Sequence, residues 1–222
     1  MKYPIYEHFY AFQGEGNHMG IAAYFIRLYG CPLQCPWCDS AGTWHKDYVP
    51  EQISKLNENE IGELLQNHKF KFVVITGGEP AIFDLFAITG LKGIRFHLET
   101  SGAFKIKGNF DWITVSPKWD KMPLPENILL ANELKIIVED ENSIQKWIDA
   151  IPEILNNQNI WLHPEWSQKN NPKVLNSISS WVKESEYNFR AGYQLHKLYK
   201  VDNLDTNSKP LTPLGGKIEN GY

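Results

Sequence analysis

The chain is poor in the residues that mark several protein classes, and each shortage excludes something. Cysteine occurs three times in 222 residues, an odd number, all within Cys31-Pro32-Leu33-Gln34-Cys35-Pro36-Trp37-Cys38. So short and odd a set does not make a disulfide framework; clustered thiols in a reducing compartment more often ligate metal or do redox chemistry. No apolar run approaches the roughly 18 residues of a membrane span. The start Met1-Lys2-Tyr3-Pro4-Ile5-Tyr6-Glu7-His8 lacks the apolar stretch and small-residue cleavage site of a secretory signal. The expected location is cytoplasmic, with no membrane partner. Positive charge is not in surplus: 22 Lys plus Arg stand against 26 Asp plus Glu, for a formal net charge of −4. That balance argues against nucleic acid as a partner, because phosphate neutralisation needs a basic surface.

What is present suits an ordinary globular enzyme. With 42% hydrophobic and 22% charged residues, the chain can bury a sizeable core without disulfides. Strand-like apolar runs at Ala23 to Leu28, Lys71 to Ile75, Ile94 to Glu99, Trp112 to Val115, Glu133 to Val138 and Asn159 to Leu162 alternate with helical segments. The helices are expected at Asn59 to Asn67, Ala81 to Thr89, Ser143 to Leu155 (with Ser143 as N-cap) and Pro172 to Glu184. The alternation predicts an α/β fold with a mostly parallel sheet, its strands covered on both faces. No internal repeat or low-complexity linker interrupts it, so residues 1–202 read as one catalytic domain and 203–222 as a polar tail containing Pro and Gly.

The spacing C-x₃-C-x₂-C lets Cys31, Cys35 and Cys38 wrap one face of a four-iron, four-sulfur cluster and leave one iron without a protein ligand. Two plainer readings compete: a zinc knuckle with His45 as fourth ligand, or three ordinary buried cysteines. An electron-transfer ferredoxin would bring a fourth cysteine, and none exists. Other polar motifs fall at predicted strand ends, where parallel sheets deliver functional groups. They are Thr76-Gly77-Gly78-Glu79-Pro80, Glu99-Thr100-Ser101-Gly102 and Val115-Ser116-Pro117-Lys118. Each also reads as a turn, and Lys118 as a solvated lysine. Glu133 and Lys135, on one strand face, read as a structural ion pair.

The cysteine motif, with aromatic Trp37 before its last cysteine, resembles the signature of the radical S-adenosylmethionine enzymes. The resemblance implies that the open iron chelates S-adenosylmethionine, whose reductive cleavage gives a 5′-deoxyadenosyl radical. Phe12-Gln13-Gly14-Glu15-Gly16 ahead of Phe25-Ile26-Arg27-Leu28, followed by TGGEP, ETSG, VSPK and NELK, narrows this. Together these motifs resemble the 7-carboxy-7-deazaguanine synthase family over most of residues 1–140. That family converts 6-carboxy-5,6,7,8-tetrahydropterin into 7-carboxy-7-deazaguanine with loss of ammonia, in 7-deazapurine (queuosine-type) biosynthesis. It also implies a partial, modified TIM-like barrel of about six mostly parallel strands and fewer helices, a homodimer, and a flavodoxin- or ferredoxin-like electron donor.

Carried over residue by residue, the resemblance assigns S-adenosylmethionine to Trp37, Cys38, Asp39, Gly77, Gly78, Glu79, Ser116, Pro117, Lys118 and the stretch His163-Pro164-Glu165-Trp166. Substrate falls to Phe12, Gln13, Gly14, Glu15, Arg27, Thr76 and His196. Arg27, one of three arginines, would offer its planar fork to the pterin carboxylate; the plainer reading pairs it with Glu7 or Glu15. Phe12 also reads as core, and His196 as structural. Ser40 stands where the family's Mg²⁺-binding threonine would be; it keeps the hydroxyl oxygen a hard cation needs but loses the rotamer-restricting methyl. The competing functions are a glycyl-radical-enzyme activase or other small-molecule radical enzyme, and a non-catalytic iron–sulfur or zinc module.

Overall fold

The computed structural model describes residues 1–66, 72–201 and 204–209. Nine strands form one sheet: β1 (Lys2–Phe12), β2 (Ala22–Leu28), β3 (Ser54–Asn57), β4 (Phe72–Gly77), β5 (Arg95–Thr100), β6 (Trp112–Val115), β7 (Glu133–Val138), β8 (Ile160–Pro164) and β9 (Phe189–Ala191). Six helices accompany them: α1 (Glu58–Gln66), α2 (Phe86–Thr89), α3 (Pro125–Leu130), α4 (Ser143–Ala150), α5 (Pro172–Glu184) and α6 (Leu195–Tyr199). The strand order is β3-β1-β2-β4-β5-β6-β7-β8-β9. β1 runs antiparallel to β2 and β3, and every later neighbour is parallel. From β4 to β9 the order never reverses, so successive right-handed crossovers keep their helices on one side. That is an open, partial barrel with its concave side left for a site.

The expected six strands are present, though Lys71 lies outside the described residues, as do Asn67 and most of the predicted tail. β1, β3 and β9 are additional. β1 escaped because Pro4 and Glu7 interrupt its apolar pattern and its register shifts between Ile5 and Glu7, which resets the alternation. The parallel strands are covered on both faces, as expected, but the two coverings differ in kind. Val73, Ile75, Phe96, Leu98, Ile113, Val115, Leu134, Ile136, Ile160 and Leu162 pack into one apolar core with the helices. The residues between them include Thr76, His97, Thr114, Ser116, Glu133 and His163, buried but polar. Their burial comes from one another and from the chain that fills the concave side.

Local chemistry sets the helix ends. α5 matches its predicted range: Asn171 Oδ1 accepts from the Lys173 amide at 3.1 Å, with Pro172 in the first turn. α1 begins with a reciprocal cap, in which Asn57 Oδ1 accepts from the Glu60 amide at 3.1 Å and Glu60 Oε2 accepts from the Asn57 amide at 2.7 Å. α4 stops at Ala150, short of the expected Leu155, because Pro152 cannot continue it; a 3₁₀ turn, Pro152–Asn156, follows. Ser143 is the first helical residue and not the N-cap; its hydroxyl takes the Glu139 and Asp140 amides at 3.1 and 3.0 Å. The predicted helix over Ala81 to Thr89 divides into a 3₁₀ turn, Pro80–Ile82, and the short α2.

The connection from β1 to β2 closes the lower mouth of the barrel. The Asn17 amide donates to Glu133 Oε2 at 2.8 Å, and Asn17 Oδ1 accepts from Trp161 Nε1 at 3.1 Å and Arg190 Nη1 at 2.8 Å. The His18 ring packs edge-on against Trp112, with centroids 4.6 Å apart. Gly16 sits at φ +66°, and a Cβ there would lie 2.2 Å from the Glu133 carboxylate. Only glycine fits both demands.

Candidate active site

A cavity of about 230 Å³ opens at the carboxyl ends of the parallel strands. Its rim is the loop after β2, carrying Cys31, Cys35 and Cys38 as free, half-buried thiols. Burial pushes the Cys31 thiol up to about 12 and Cys35 up to about 11, the latter opposed by the nearby Lys118 ammonium; burial raises Cys38 as well. Thiols so placed ionise when a metal takes the proton's place. Trp44 Nε1 donates to Cys38 Sγ at 3.5 Å. His45 is engaged elsewhere: its Nδ1 accepts from the Asp47 amide at 3.3 Å and its ring packs against Trp44 and Tyr48. Among the described residues no three His, Cys, Asp or Glu side chains converge as one metal ion requires. Three thiols spread around a cavity wall fit a cluster, which takes each sulfur on a separate iron, better than a zinc ion.

The TGGEP segment is tied to that loop. The Gly78 amide donates to Leu28 O at 3.0 Å and the Glu79 amide to Gly30 O at 2.9 Å. A Cβ on Gly78 would sit 2.5 Å from Gly30 O and 2.6 Å from Cys31 Cβ, so glycine here serves the approach of β4 to the cysteine loop. Glu79 is 1% exposed. Its carboxylate accepts from the Ala81 amide at 2.9 Å, the Ser101 amide at 2.8 Å, and the hydroxyls of Thr100 and Ser101. ETSG therefore fixes Glu79 on the cavity wall. Lys118 is half-buried and held by the protein: Nζ donates to Ser116 O at 2.6 Å and Oγ at 2.7 Å, 5.3 Å from the Trp37 ring centroid. Burial draws its ammonium down to about 8, against the pull of Cys35.

The floor joins both ends of the sequence. Gln13 Nε2 donates to Glu99 Oε1 at 2.8 Å, and Thr76 Oγ1 to Glu99 Oε2 at 3.4 Å. Glu15 pairs with Lys135 and accepts from Gln194 Nε2 at 2.7 Å. The expected Glu133–Lys135 pair is replaced by this one, because Glu133 is held by Asn17 and by Thr114 Oγ1 at 2.7 Å. Burial works against the Glu15 charge, yet Lys135, with His163 and His196, holds the carboxyl well below the usual range. Burial likewise opposes the Lys135 charge, and Glu15 and Glu99 raise its ammonium above its ordinary value. The Leu195 amide donates to Gly14 O at 3.0 Å, and a Cβ on Gly14 would strike the His196 ring at 2.1 Å. Gly14 and His196 thus meet at the floor.

Arg27 lines the cavity beside Thr76, its register partner on β4, while its Nε donates to Glu7 Oε1 at 2.7 Å. Asp39 pairs with Lys197 at 3.1 Å; burial disfavours its charge, but Lys197 and then Arg27 hold the carboxyl down to about 2. Ser40 Oγ donates to Asp39 Oδ1 at 3.3 Å, its lone pairs at the cavity wall. Phe12, Gln13, Trp37, Gly77, Ser116, Pro164, Glu165, Trp166 and His196 also line it. Pro117 and His163 do not. His163 is fully buried beneath the wall against Gly192, without a hydrogen bond at either ring nitrogen among the described residues, and burial lowers its imidazole to about 4. Lys135, Trp44 and Lys197 line the cavity without having been singled out for a role there, and Glu99, marked as part of a strand-end motif but given no task, lines it too. For Glu99 and Lys135 the signal was a polar residue at alternate positions of an apolar strand.

Comparison with known proteins agrees with this geometry. The family of the 4Fe-4S single cluster domain matches residues 12–108. A 7-carboxy-7-deazaguanine synthase from a Synechocystis species is 39% identical over 212 residues, covering 90% of this chain and 94% of that one. One from Flavobacterium psychrophilum is 33% identical over 204 residues, covering 89% and 92%. Among solved structures, QueE from Escherichia coli superposes with a TM-score of 0.75 at 30% identity, covering 88% of this chain and 95% of that one.

Proposed function

The chain belongs to the 7-carboxy-7-deazaguanine synthase family, and from that premise we propose how its residues divide the work of the reaction. It is a radical S-adenosylmethionine lyase that converts 6-carboxy-5,6,7,8-tetrahydropterin into 7-carboxy-7-deazaguanine with release of ammonia. The activase and the non-catalytic module fall away with that membership. When bound, the iron–sulfur cluster and S-adenosylmethionine supply the one-electron chemistry that removes hydrogen from the substrate. The protein's own contribution is to hold the partners in register and keep water out.

Cys31, Cys35 and Cys38 hold the cluster by their thiolates. Glu79, fixed by four donors, presents a carboxylate edge to the ammonium of S-adenosylmethionine, and Ser116 and Lys118 close the adjoining wall. Arg27 takes the substrate carboxylate with its guanidinium fork. Gln13, Thr76 and Glu99 offer donors and acceptors to the pterin edge. The Glu15–Lys135 pair supplies a fixed dipole in the floor, a geometry that needs no reorganisation as charge develops. Ser40 would be the residue to offer Mg²⁺ a hydroxyl oxygen, which would help orient the substrate. An electron donor of flavodoxin or ferredoxin type, a homodimeric assembly and a cytoplasmic setting complete the reading.

The observation that carries it is the convergence of Arg27, the cysteine loop, Glu79 and the Gln13–Glu99 pair on one cavity. Anaerobic incubation of the reconstituted protein with S-adenosylmethionine, a one-electron reductant and 6-carboxytetrahydropterin, with and without Mg²⁺, is the test. Deazapurine absorbance should appear, more slowly when Mg²⁺ is withheld. A Ser40→Ala variant with an unchanged Mg²⁺ response would remove Ser40 from the metal site.

A further inference from the structure

Glu7 and Arg27 face each other across β1 and β2. Arg27 Nε occupies one oxygen of the Glu7 carboxylate, and the other accepts from the Lys209 backbone amide at 2.6 Å. The Glu7 side chain is only 6% exposed. A carboxylate buried to that degree needs its hydrogen bonds, so both donors matter to where it sits. Lys209 lies in the polar tail, which the reaction as assigned does not use.

β3 pairs with β1 only from Lys2 to Ile5, so the edge beyond is without a strand partner among the described residues. Residues 204–209 lie along it. Asp205 Oδ2 accepts from the Tyr10 amide at 2.9 Å, and the Lys209 ammonium stands 4.6 Å from the Tyr6 ring centroid. Covering an open edge is a sufficient reason for a polar strap. Edge cover alone does not account for a buried acid tied to the strap on one side and to a cavity arginine on the other. An arginine whose Nε is committed meets a carboxylate with its terminal nitrogens, and the partner at Nε sets the plane of the fork.

We propose that residues 204–209 position Arg27 for the substrate carboxylate by fixing Glu7, which makes Glu7 and the Lys209 amide positioning groups of the reaction. The inference rests on Arg27 as the carboxylate contact. The specificity it adds is for a pterin that carries a carboxylate.

The test uses the full-length holoenzyme as Glu7→Gln, Lys209→Pro and Arg27→Gln variants. Lys209→Pro removes the amide hydrogen, and Glu7→Gln sets an amide donor against one of the two donors. Equilibrium dialysis with 6-carboxypterin and with unsubstituted pterin separates carboxylate recognition from general folding. Glu7→Gln and Lys209→Pro should each weaken 6-carboxypterin by about tenfold, the worth of one charge-assisted hydrogen bond. Unsubstituted pterin should bind as to wild type, and in turnover KM should rise with kcat nearly constant. Arg27→Gln should bind both pterins alike. If Arg27→Gln loses discrimination while the other two variants keep it, the strap has no such role. Equal weakening of both pterins would reduce the contact to a structural one and overturn the proposal. Discrimination retained in Arg27→Gln would remove Arg27 as the carboxylate contact, and this inference with it.

Discussion

On the helix-covered side of the parallel strands, Ile75, Leu98, Val115, Leu134 and Leu162 share one apolar core; one residue further along each strand, on the concave side, stand Thr76, Glu99, Ser116, Lys135 and His163. The outer residues are fully buried and the inner ones buried or half-buried, by different physics. The outer face gains from area removed from water, a non-directional effect in which neighbours of similar volume exchange at modest cost. The inner face, His163 aside, is a network of partnered polar groups, so removing one leaves another stranded in a low-dielectric interior. A change on the outer face should therefore cost stability alone, and one on the inner face stability and chemistry together.

Lys135→Met should do the most damage. It leaves the Glu15 carboxylate buried without its cation, a change that costs about 3–5 kcal/mol. Denaturant titration should register that loss, and turnover should fall with it; Glu15→Gln in the same chain should restore much of the stability but not the activity. Leu98→Ala on the outer face should cost about 2–5 kcal/mol through its cavity. Below the unfolding transition it should leave KM and kcat as they are, and a changed KM would blur the division between faces.

His163 supplies a pH-dependent version of the comparison. Its imidazole is buried and lowered to about 4, below its unfolded value, so the folded chain binds fewer protons between the two. Stability should fall as pH drops from about 6.5 towards 4, by up to about 3 kcal/mol, and level off below. Melting temperature followed over that range should be flatter in His163→Gln. The smallest effect is at the surface: Asn171→Ala removes the α5 cap for about 1 kcal/mol with no kinetic consequence.

Much of this was legible in the chain because it lies in local pattern. The strand runs, the Pro172–Glu184 helix with its cap, and the cysteine loop are set by periodicity, turn chemistry and spacing. What was hidden depends on pairing at a distance. Lys135 finds Glu15 and not Glu133, because the β1–β2 connection enters the barrel and gives Glu133 to Asn17 instead. Gly78 carries no local sign of its neighbours in the chain, yet the space its missing Cβ leaves is taken by Gly30 and Cys31. Arg27 is held by Glu7, as its plainer reading had it, and it also stands at the cavity wall, which spacing in the sequence could not show. His163 shares the concave face with Lys135 and Ile137 yet lies beneath the cavity wall, covered by the chain at Gly192.

The most direct test of the inner face as a reaction chamber is anaerobic reconstitution and turnover of the wild-type chain beside Cys35→Ala. The wild type should hold about four iron and four sulfide per chain and form 7-carboxy-7-deazaguanine from the carboxylated tetrahydropterin, and Cys35→Ala should do neither. A cluster retained in Cys35→Ala, or a fully loaded wild type that leaves the pterin unchanged, would contradict the account.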